Sequence, residues 1–519
     1  MRVRYIPLLL AIAMTLAACD GRSPEPAEEI ESSPNILLIF ADDLGYGDVM
    51  CESCDSPTPR LDELASEGAR LTSFYAPTPY CAPSRATLLT GRYPFRHMLV
   101  RNPAPDAGLS NFGLPPEEIT IAELLKDAGY KTAMFGKWHL GHRSQWLPSR
   151  QGFDEYLSIL YSNDMAPVQL VEDDQVVEYP VDQAILTQRY TQRTIDFIST
   201  HRDEPFFVYL PHAMPHKPLA ASKDYYTPET PDDLYADVIR ELDGSVGRIL
   251  DALNELGLDD STLVIFISDN GPYYGGSTGG LRGMKGRSWE GGVRVPFIAR
   301  YPGRITAGSS NDAPAAMVDV LPTIAAYADL DLPNDRVIDG HDIRALFEDS
   351  QAQSPHDAIY TMRGSEIATI RMGPWKLHVR NPGEAGALGM SREEKENWVD
   401  PRGPDGVHII APVEQAGPLQ YPGVIGGDAP EPMMLFNVED DPAEQHNVSE
   451  AHPDIVARLK EKYDETAQLV ADTVDAPSSY LLQDPPPGER RPLMKLLGGD
   501  LRYDRVAEEQ RHLLREDRD

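Results

Sequence analysis

The chain has 519 residues, 41% of them hydrophobic and 25% charged, a composition that can form a substantial core. This length suits one large domain with a smaller one better than a single minimal domain. The 82 acidic residues outnumber the 47 basic ones and give a formal net charge of −35, so the surface repels nucleic acid and we expect no nucleic-acid partner.

The first residues have the features of an export signal. Arg2 and Arg4 precede an apolar run at residues 6–18, which is shorter than the roughly 20 residues that span a bilayer. The run ends in Leu-Ala-Ala-Cys, which is similar to the lipobox of bacterial lipoproteins. We therefore expect residues 1–18 to be a lipoprotein signal peptide and Cys19 to be lipidated; the alternative is an ordinary cleaved signal with a chance cysteine.

The segment after the signal is polar, acidic and contains proline, which predicts a flexible tether at residues 19–34. We expect an exported protein, periplasmic or on the cell surface, that touches the membrane only through the lipid on Cys19. In such an oxidising compartment Cys51 and Cys54 could form a disulfide, whereas a zinc site would need a second ligand pair. Cys81 is then the odd cysteine of the exported chain.

Several short apolar segments have the pattern of buried strands, and each is followed at once by polar residues. They lie at residues 35–40, 131–135, 206–210 and 263–268, with helical patterns between them, for instance at 120–129 and 234–256. Alternating strands and helices predict an α/β fold with a mainly parallel sheet flanked by helices. Ligands of such sheets bind beyond the carboxyl ends of the strands, so we expect these polar residues to meet at one edge.

Two of these strand ends predict a metal site. Asp42 and Asp43 follow the first strand, and Asp269 and Asn270 follow the last. Oxygen ligands suit a hard cation, Ca²⁺ or alternatively Mg²⁺, rather than zinc. Carboxylates crowded together would repel one another unless a cation neutralised them. The other interpretation is that each pair caps the loop or helix that follows it.

The segment CAPSRATLLTGR, residues 81–92, predicts a helix that begins at a cysteine. Pro83 belongs in a first turn and Gly91 just past a helix end. Cys81 then lies at the N-terminus, where backbone N–H groups favour negative charge, and Arg85 one turn later points to the same side. A plain thiol here could be a nucleophile of low pKa, but that would not explain the oxygen ligands of a hard metal nearby.

This segment resembles, without a mismatch, the C-x-P-S-R-x-x-x-L-T-G-R signature of the type I sulfatases, of the arylsulfatase A type. The resemblance runs from residue 35 to about residue 468. The other segments similar to family motifs are DDLGYG at 42–47, GKWHLG at 136–141, YS at 161–162, HKP at 216–218, GMKG at 283–286, WEGGVRVP at 289–296 and LFNVEDDPAE at 435–444.

The resemblance implies the fold of the alkaline phosphatase superfamily, with a catalytic domain at 35–350 and a smaller C-terminal α+β subdomain at 351–483 that contains an antiparallel sheet. Residues 367–370 and 375–379 alternate around Met-Gly-Pro, which is a hairpin signal. Residues 381–432 are rich in proline and glycine and predict a long surface loop. The charged extension at 484–519 falls outside the resemblance, and neither its function nor the oligomeric state follows from the sequence.

The resemblance also implies the catalytic residues. Cys81 is expected to be oxidised to formylglycine by a formylglycine-generating enzyme. The hydrate of that aldehyde is expected to bind the metal together with Asp42, Asp43, Asp269 and Asn270. It is also expected to attack the sulfur of a sulfate ester. The other implied roles are orientation of the hydrate by Arg85, contact with sulfate oxygens by Lys137, Lys285 and Ser162, protonation of the leaving alcohol by His216, and deprotonation of the hydrate by His139.

The expected function is therefore hydrolysis of sulfate esters, carbohydrate sulfates first, with aryl sulfates as surrogates. One alternative is a phosphate or phosphonate ester hydrolase of the same superfamily; relatives with that preference commonly carry Asp-His where this chain has Asp269 and Asn270, which favours sulfate. The other is a lipoprotein that binds sulfated glycans without turnover. Loss of a catalytic lysine, histidine or metal ligand would support it, and none is missing from the motifs.

Overall fold

The computed structural model describes residues 33–49, 56–103, 113–165, 168–227, 234–273, 275–383 and 423–474. The predicted signal peptide, most of the tether, Cys19, Cys51, Cys54, the centre of the loop at 381–432 and the extension at 484–519 lie outside these residues and stay predictions. Within the described part, no helix is both long enough and apolar enough to cross a membrane.

The described residues form a large sheet, a two-stranded sheet and a four-stranded sheet. The strands in chain order are β1 (Asn35–Ala41), β2 (Ala69–Leu71), β3 (Phe74–Tyr75), β4 (Lys131–Lys137), β5 (Glu155–Ile159), β6 (Leu170–Glu172), β7 (Gln175–Glu178), β8 (Phe206–Pro211), β9 (Thr262–Ser268), β10 (Phe297–Arg300), β11 (Ser309–Asn311), β12 (Ala315–Ala316), β13 (Ile359–Arg363), β14 (Glu366–Met372), β15 (Trp375–His378) and β16 (Met434–Asn437).

The helices pack around and between these sheets. They are α1 (Tyr46–Val49), α2 (Pro59–Glu67), α3 (Cys81–Thr90), α4 (Pro94–His97), α5 (Ile121–Asp127), α6 (Leu186–Thr200), α7 (Leu234–Glu255), α8 (Glu290–Val293), α9 (Val320–Tyr327), α10 (Ala345–Glu348) and α11 (Pro453–Val474). The predicted helix at 120–129 is α5, which begins with a capping box between Thr120 and Glu123. The predicted helix at 234–256 is α7.

The large sheet has the strand order β11-β2-β10-β9-β1-β8-β4-β5-β6-β7. Its centre, from β9 through β1, β8 and β4 to β5, is parallel throughout. The strands toward both edges include antiparallel pairs, such as β9 with β10 and β5 with β6. The predicted α/β fold with a mainly parallel sheet is confirmed.

Strand β1 shows why its sequence is apolar on both faces. Ile36, Leu38 and Phe40 pack into a core that includes side chains of α3, α5 and α9. The alternate residues Leu37 and Ile39 pack into a second core with α2, α6 and α7. All five are buried, and burying such a side chain is worth about 1.5–3 kcal/mol. Helices on both faces therefore hold the central strands in place and fix where they end.

The C-terminal sheet is antiparallel, in the order β13-β14-β15-β16, and α11 packs against it. Its central hairpin, β14 and β15, pairs Met372 with Trp375 at the turn, so the predicted hairpin is confirmed. One apolar core joins Ile370 and Leu435 of this sheet to Tyr75 and Phe95 of the preceding part of the chain. The four strands all begin after residue 350, while the domain boundary itself remains a prediction.

Candidate active site

The carboxyl ends of five neighbouring parallel strands carry the predicted site residues. Asp42 and Asp43 follow β1, and Asp269 and Asn270 follow β9; Lys137 ends β4 and precedes His139, Ser162 follows β5, and His216 follows β8. Because these strands are adjacent and parallel, the side chains come from one edge of the sheet. Asp42 and His216, which are 174 positions apart in the sequence, thereby become neighbours.

Two carboxylates share one guanidinium at the centre of this edge. Arg85 Nη2 lies 2.9 Å from Asp42 Oδ2 and 3.3 Å from Asp269 Oδ2, and Arg85 Nη1 donates to the carbonyl of Lys137 at 2.7 Å. The Nζ of Lys137 lies 2.5 Å from Asp42 Oδ2. All four side chains are completely buried, so their charges depend on one another rather than on solvent.

Asp43 brings a third cation, Lys285, into this group of buried charges. Lys285 Nζ lies 2.7 Å from its carboxylate, and Asn270 Nδ2 donates to Asp43 Oδ1 at 2.8 Å. The backbone N–H of Asp43 donates to Asp269 Oδ1 at 3.0 Å. Asn270 Oδ1 is buried and has no hydrogen-bond partner among the described residues. A buried amide oxygen beside three carboxylates is the donor set that a hard cation takes.

The pKa values of the carboxylates reflect this crowding. Burial would raise the pKa of Asp42, but Lys137 and Arg85 hold it well below its usual range. Burial, and then the charge of Asp42, raise the pKa of Asp269 to about 7. Burial also raises the pKa of Asp43, against the effect of Lys285. The cations of the chain thus stabilise the three negative charges unequally, and a divalent cation would stabilise all three.

A cluster that could hold a metal ion is present at this point. Ligand atoms of Asp42, Asp43, Cys81 and His216 all lie within 4.8 Å of one another. The sequence did not predict His216 beside the metal. Its Nε2 lies 3.6 Å from Asp43 Oδ2, because β8 ends beside β1. The oxygen donors fit the predicted hard cation, and the cluster leaves the identity of that cation open.

Helix α3 places Cys81 beside this cluster. The helix begins at Cys81 and ends at Gly91, whose φ of 67° lies in the left-handed region that glycine tolerates. Cys81 Sγ lies 3.5 Å from Asp42 Oδ1, and Arg85 reaches the same carboxylate, so both residues point to one side as predicted. Burial, and then Asp42, raise the pKa of the thiol well above its usual value. Burial and the nearby carboxylate thus both oppose the thiolate, which disfavours the interpretation as a plain thiol of low pKa.

The segment before residue 104 links the two ends of the site. Asn102 Oδ1 accepts a hydrogen bond from the N–H of Ala82, one of the donors that the first turn of α3 leaves unsatisfied. The next carbonyl, of Pro103, accepts from His139 Nε2 at 3.2 Å. His139 Nδ1 is then the acceptor nitrogen, and it has no partner among the described residues. Sequence reasoning missed Asn102, since an asparagine in a loop carries no signal of a distant partner.

His139 and His212 are both buried, but they have different surroundings. Burial, and then Lys137 and Arg85, lower the pKa of His139 well below its usual value, which favours the neutral ring. Burial alone lowers the pKa of His212 to about 3, and its Nε2 faces the hydroxyl of Ser245. His212 follows β8 as His216 does, but its recorded contacts do not include the acidic cluster.

Lys137, Ser162 and His216 form the other side of the site. Lys137 Nζ donates to Ser162 Oγ at 2.9 Å, and Ser162 Oγ lies 3.4 Å from His216 Nε2. His216 Nδ1 donates to the carbonyl of the next residue at 2.6 Å, which leaves Nε2 as the nitrogen that faces Ser162. Recorded contacts therefore join the predicted residues into one group, except His139, whose recorded hydrogen bond goes to Pro103.

The fold and the site define an enzyme of the alkaline phosphatase superfamily. Residues 34–330 match the family model described as Sulfatase, and the chain belongs to the sulfatase family. It is similar to arylsulfatase A of Homo sapiens, with 34% identity over 92% of this chain and 94% of the relative. It is also similar to N-acetylgalactosamine-6-sulfatase of Mus musculus, with 37% identity over 72% of this chain and 75% of the relative.

A solved structure has the same fold. The crystal structure of Ps i-CgsB in complex with k-i-k-neocarrahexaose matches with a TM-score of 0.67 and 27% identity, over 84% of this chain and 93% of that chain. The chain is accordingly a sulfuric ester hydrolase that acts on sulfate esters, as the sequence predicted. Membership of this enzyme family decides against the alternative of a glycan-binding lipoprotein without turnover.

We expect Asp42→Ala and Asp269→Ala each to remove the bound metal and the sulfatase activity together, because the remaining oxygen donors cannot hold a hard cation alone. Removal of one hydrogen-bond donor from an oxyanion hole costs about 10²–10³-fold in kcat, and loss of the metal should cost at least that. Elemental analysis of the purified variants, beside turnover of an aryl sulfate, checks this.

Asp243→Asn is the matched control. Asp243 is a buried carboxylate that accepts from the N–H of Leu61 at 2.9 Å, in a helix contact and not at the sheet edge. This variant should keep its metal and its activity. Full metal occupancy in the Asp42 or Asp269 variant would show that the cation binds elsewhere.

Proposed function

We propose that this sulfatase removes sulfate from carbohydrates, with aryl sulfates as surrogate substrates. The observation that carries the proposal is the convergence of Arg85, Lys137 and Lys285 on one sheet edge, in a chain whose formal net charge is −35. Three cations beside the proposed divalent metal would suit a small anionic group. The similar proteins whose names refer to N-acetylgalactosamine 6-sulfate and to a neocarrahexaose complex support a sugar as the carrier of that group.

Desulfation of a panel of sulfated mono- and oligosaccharides tests the substrate class. We expect at least one carbohydrate sulfate to be turned over with a kcat/KM above that of simple aryl sulfates, since binding of the sugar adds contacts that an aryl group lacks. Aryl phosphates and phosphonates belong in the same panel. Faster turnover of these than of every sulfate would contradict the proposal, and exclusive turnover of aryl sulfates would exclude the carbohydrate class.

We propose Ca²⁺ as the metal, with Mg²⁺ as the alternative, held by Asp42, Asp43, Asp269 and Asn270 together with residue 81. The metal would supply Lewis acidity and lower the pKa of a coordinated hydroxyl. Formylglycine made from Cys81 by a formylglycine-generating enzyme would supply, as its hydrate, a nucleophile with a second hydroxyl. The raised pKa of the encoded thiol supports this modification, because an uncharged buried thiol is a poor nucleophile.

The remaining catalytic roles are assigned to side chains around residue 81. Lys137, Lys285 and Ser162 bind the sulfate oxygens and orient the ester, which favours attack and stabilises negative charge. Arg85 contacts Asp42 and Asp269, and thereby fixes the side from which residue 81 faces the site. His216 Nε2 protonates the departing alcohol, and His139 Nδ1 accepts a proton from residue 81 so that sulfate can leave.

Cys81→Ser should separate attack from release. A serine offers one hydroxyl, so it can accept sulfate once but has no second hydroxyl through which to expel it. We expect no more than one turnover from Cys81→Ser and none from Cys81→Ala, with metal retained in both. In the wild type, co-expressed with a formylglycine-generating enzyme, the tryptic peptide of residues 71–85 should be lighter than encoded, because one oxygen replaces sulfur and two hydrogens.

Mass spectrometry of that peptide and a burst experiment with an aryl sulfate make this measurement. Wild-type activity should rise in proportion to the converted fraction of Cys81. Sustained turnover by Cys81→Ser, with the serine shown to be unmodified, would refute the role of the second hydroxyl.

We propose that the protein is exported and anchored at the periplasmic or outer cell surface through a lipid on Cys19. The apolar run at 6–18 and the Leu-Ala-Ala-Cys that ends it support this location. Cys19→Ala should move the protein from membrane fractions to soluble ones and leave kcat/KM of the purified enzyme unchanged. A wild-type protein that is already soluble after export would overturn the lipid anchor.

A further inference from the structure

Asn163 is a buried residue that the roles above leave unused. It directly follows Ser162 and has 0% of its surface exposed. Its Nδ2 donates to the carbonyl of His216 at 3.0 Å and to the carbonyl of Pro218 at 3.2 Å. Its Oδ1 has no hydrogen-bond partner within the described ranges. Every recorded hydrogen bond of this side chain therefore goes to the turn that carries His216.

The orientation of this amide follows from its partners. Exchanging its oxygen and nitrogen would set Asn163 Oδ1 against two carbonyl oxygens, so only the orientation with Nδ2 toward the turn forms hydrogen bonds. The backbone of Asn163 is held from the other side, because the buried Gln183 donates through Nε2 to the Asn163 carbonyl at 2.9 Å. Gln183 lies just before α6. Its side chain therefore fixes the backbone of Asn163, and Asn163 holds the turn that carries His216.

The backbone bonds of this turn decide where the imidazole lies. Buried carbonyls require donors, and Asn163 satisfies two of them within three residues of the turn. The ring of His216 then lies with Nε2 3.4 Å from Ser162 Oγ and 3.6 Å from Asp43 Oδ2. A displacement of about 1 Å of such a group can cost about 10²-fold in rate, because proton transfer requires the donor within hydrogen-bond reach.

We infer that Asn163 is the positioning residue for the leaving-group acid: its two N–H bonds hold the His216 turn so that Nε2 meets the oxygen of the departing alcohol. This inference rests on the proposed role of His216. It predicts that loss of Asn163 acts on departure of the alcohol and not on binding of sulfate, which is the proposed task of the adjacent Ser162.

The test compares two aryl sulfates that differ in their need for an acid. Nitrophenolate leaves 4-nitrophenyl sulfate readily, whereas the leaving oxygen of phenyl sulfate depends more on protonation. General acid catalysis is worth about 10²–10⁴-fold, so we expect Asn163→Ala to lower kcat/KM for phenyl sulfate by about 10-fold or more, with a much smaller loss for 4-nitrophenyl sulfate. His216→Ala should show the same selectivity to a greater degree, and Ser162→Ala should slow both substrates by similar factors.

Asn311→Ala is the control for the loss of a buried asparagine that donates to two carbonyls. Asn311 is 3% exposed, and its Nδ2 donates to the carbonyls of Asp349 at 3.0 Å and of Ala352 at 3.2 Å. Its Oδ1 also accepts from the N–H of Ala313 at 2.8 Å. It lies on β11, at the far edge of the large sheet. Because one more hydrogen bond is lost, we expect a drop in melting temperature at least as large as that of Asn163→Ala, and no selectivity between the two substrates. Metal and formylglycine contents, measured for every variant, separate a change in rate from incomplete maturation.

Asn163→Asp extends the test to a variant that creates no cavity. It keeps the volume of the side chain but replaces the donor with an oxygen that faces two carbonyls. If Asn163→Ala fails to fold, the selectivity of Asn163→Asp decides. If His216→Ala is selective but the Asn163 variants slow both substrates equally, or slow neither, the inference is wrong while the role of His216 stands. If His216→Ala itself is not selective, that role fails and the inference fails with it.

Discussion

The site depends on the mutual compensation of three carboxylates and three cations at one end of a parallel sheet. A buried charge is costly unless an opposite charge lies against it, and removing one partner leaves the other uncompensated. Asp42 and Asp269 meet at Arg85, while Lys137 and Lys285 each reach a neighbouring carboxylate. These cations come from a helix, a strand end and a loop. Each of those elements must therefore end at a defined point for the charges to balance.

The C-terminal sheet carries a second buried ionic network. Lys376 of β15 lies 2.9 Å from Glu290 and 3.1 Å from Glu444, and His378 Nε2 lies 2.6 Å from Glu444. Burial would raise the pKa of Glu290, but Lys376 and nearby arginines lower it to about 2. Glu290 begins α8, five residues after Lys285. The ionic contacts of the smaller sheet thus anchor Glu290, in the segment that follows Lys285.

The sequence predicted best those features that depend on neighbours in the chain. Strands that are apolar on both faces and stop before Asp42 or Asp269 predict the edge of a parallel sheet, and Gly91 predicts the end of α3. The supporting contacts of Asn102 and Asn163 were missed, because their partners lie 20 or more positions away and an asparagine in a loop has many ordinary explanations. The raised pKa of the Cys81 thiol could not be predicted for a related reason: the helix N-terminus is a local feature, whereas burial beside Asp42 is a tertiary effect.

His139 and His216 are proposed to have opposite roles in proton transfer. The two rings differ in which nitrogen donates a hydrogen bond to a backbone carbonyl. His139 donates through Nε2 to the carbonyl of Pro103, whereas His216 donates through Nδ1 to the carbonyl of Lys217. Opposite ring nitrogens therefore remain for the site. The surroundings differ as well, since burial, and then nearby cations, lower the pKa of His139, while His216 lies beside the carboxylate of Asp43. A neutral ring among cations suits a proton acceptor. On the proposed roles, the carbonyls and charges around the two rings, rather than the residue type, would decide which histidine accepts a proton and which donates one.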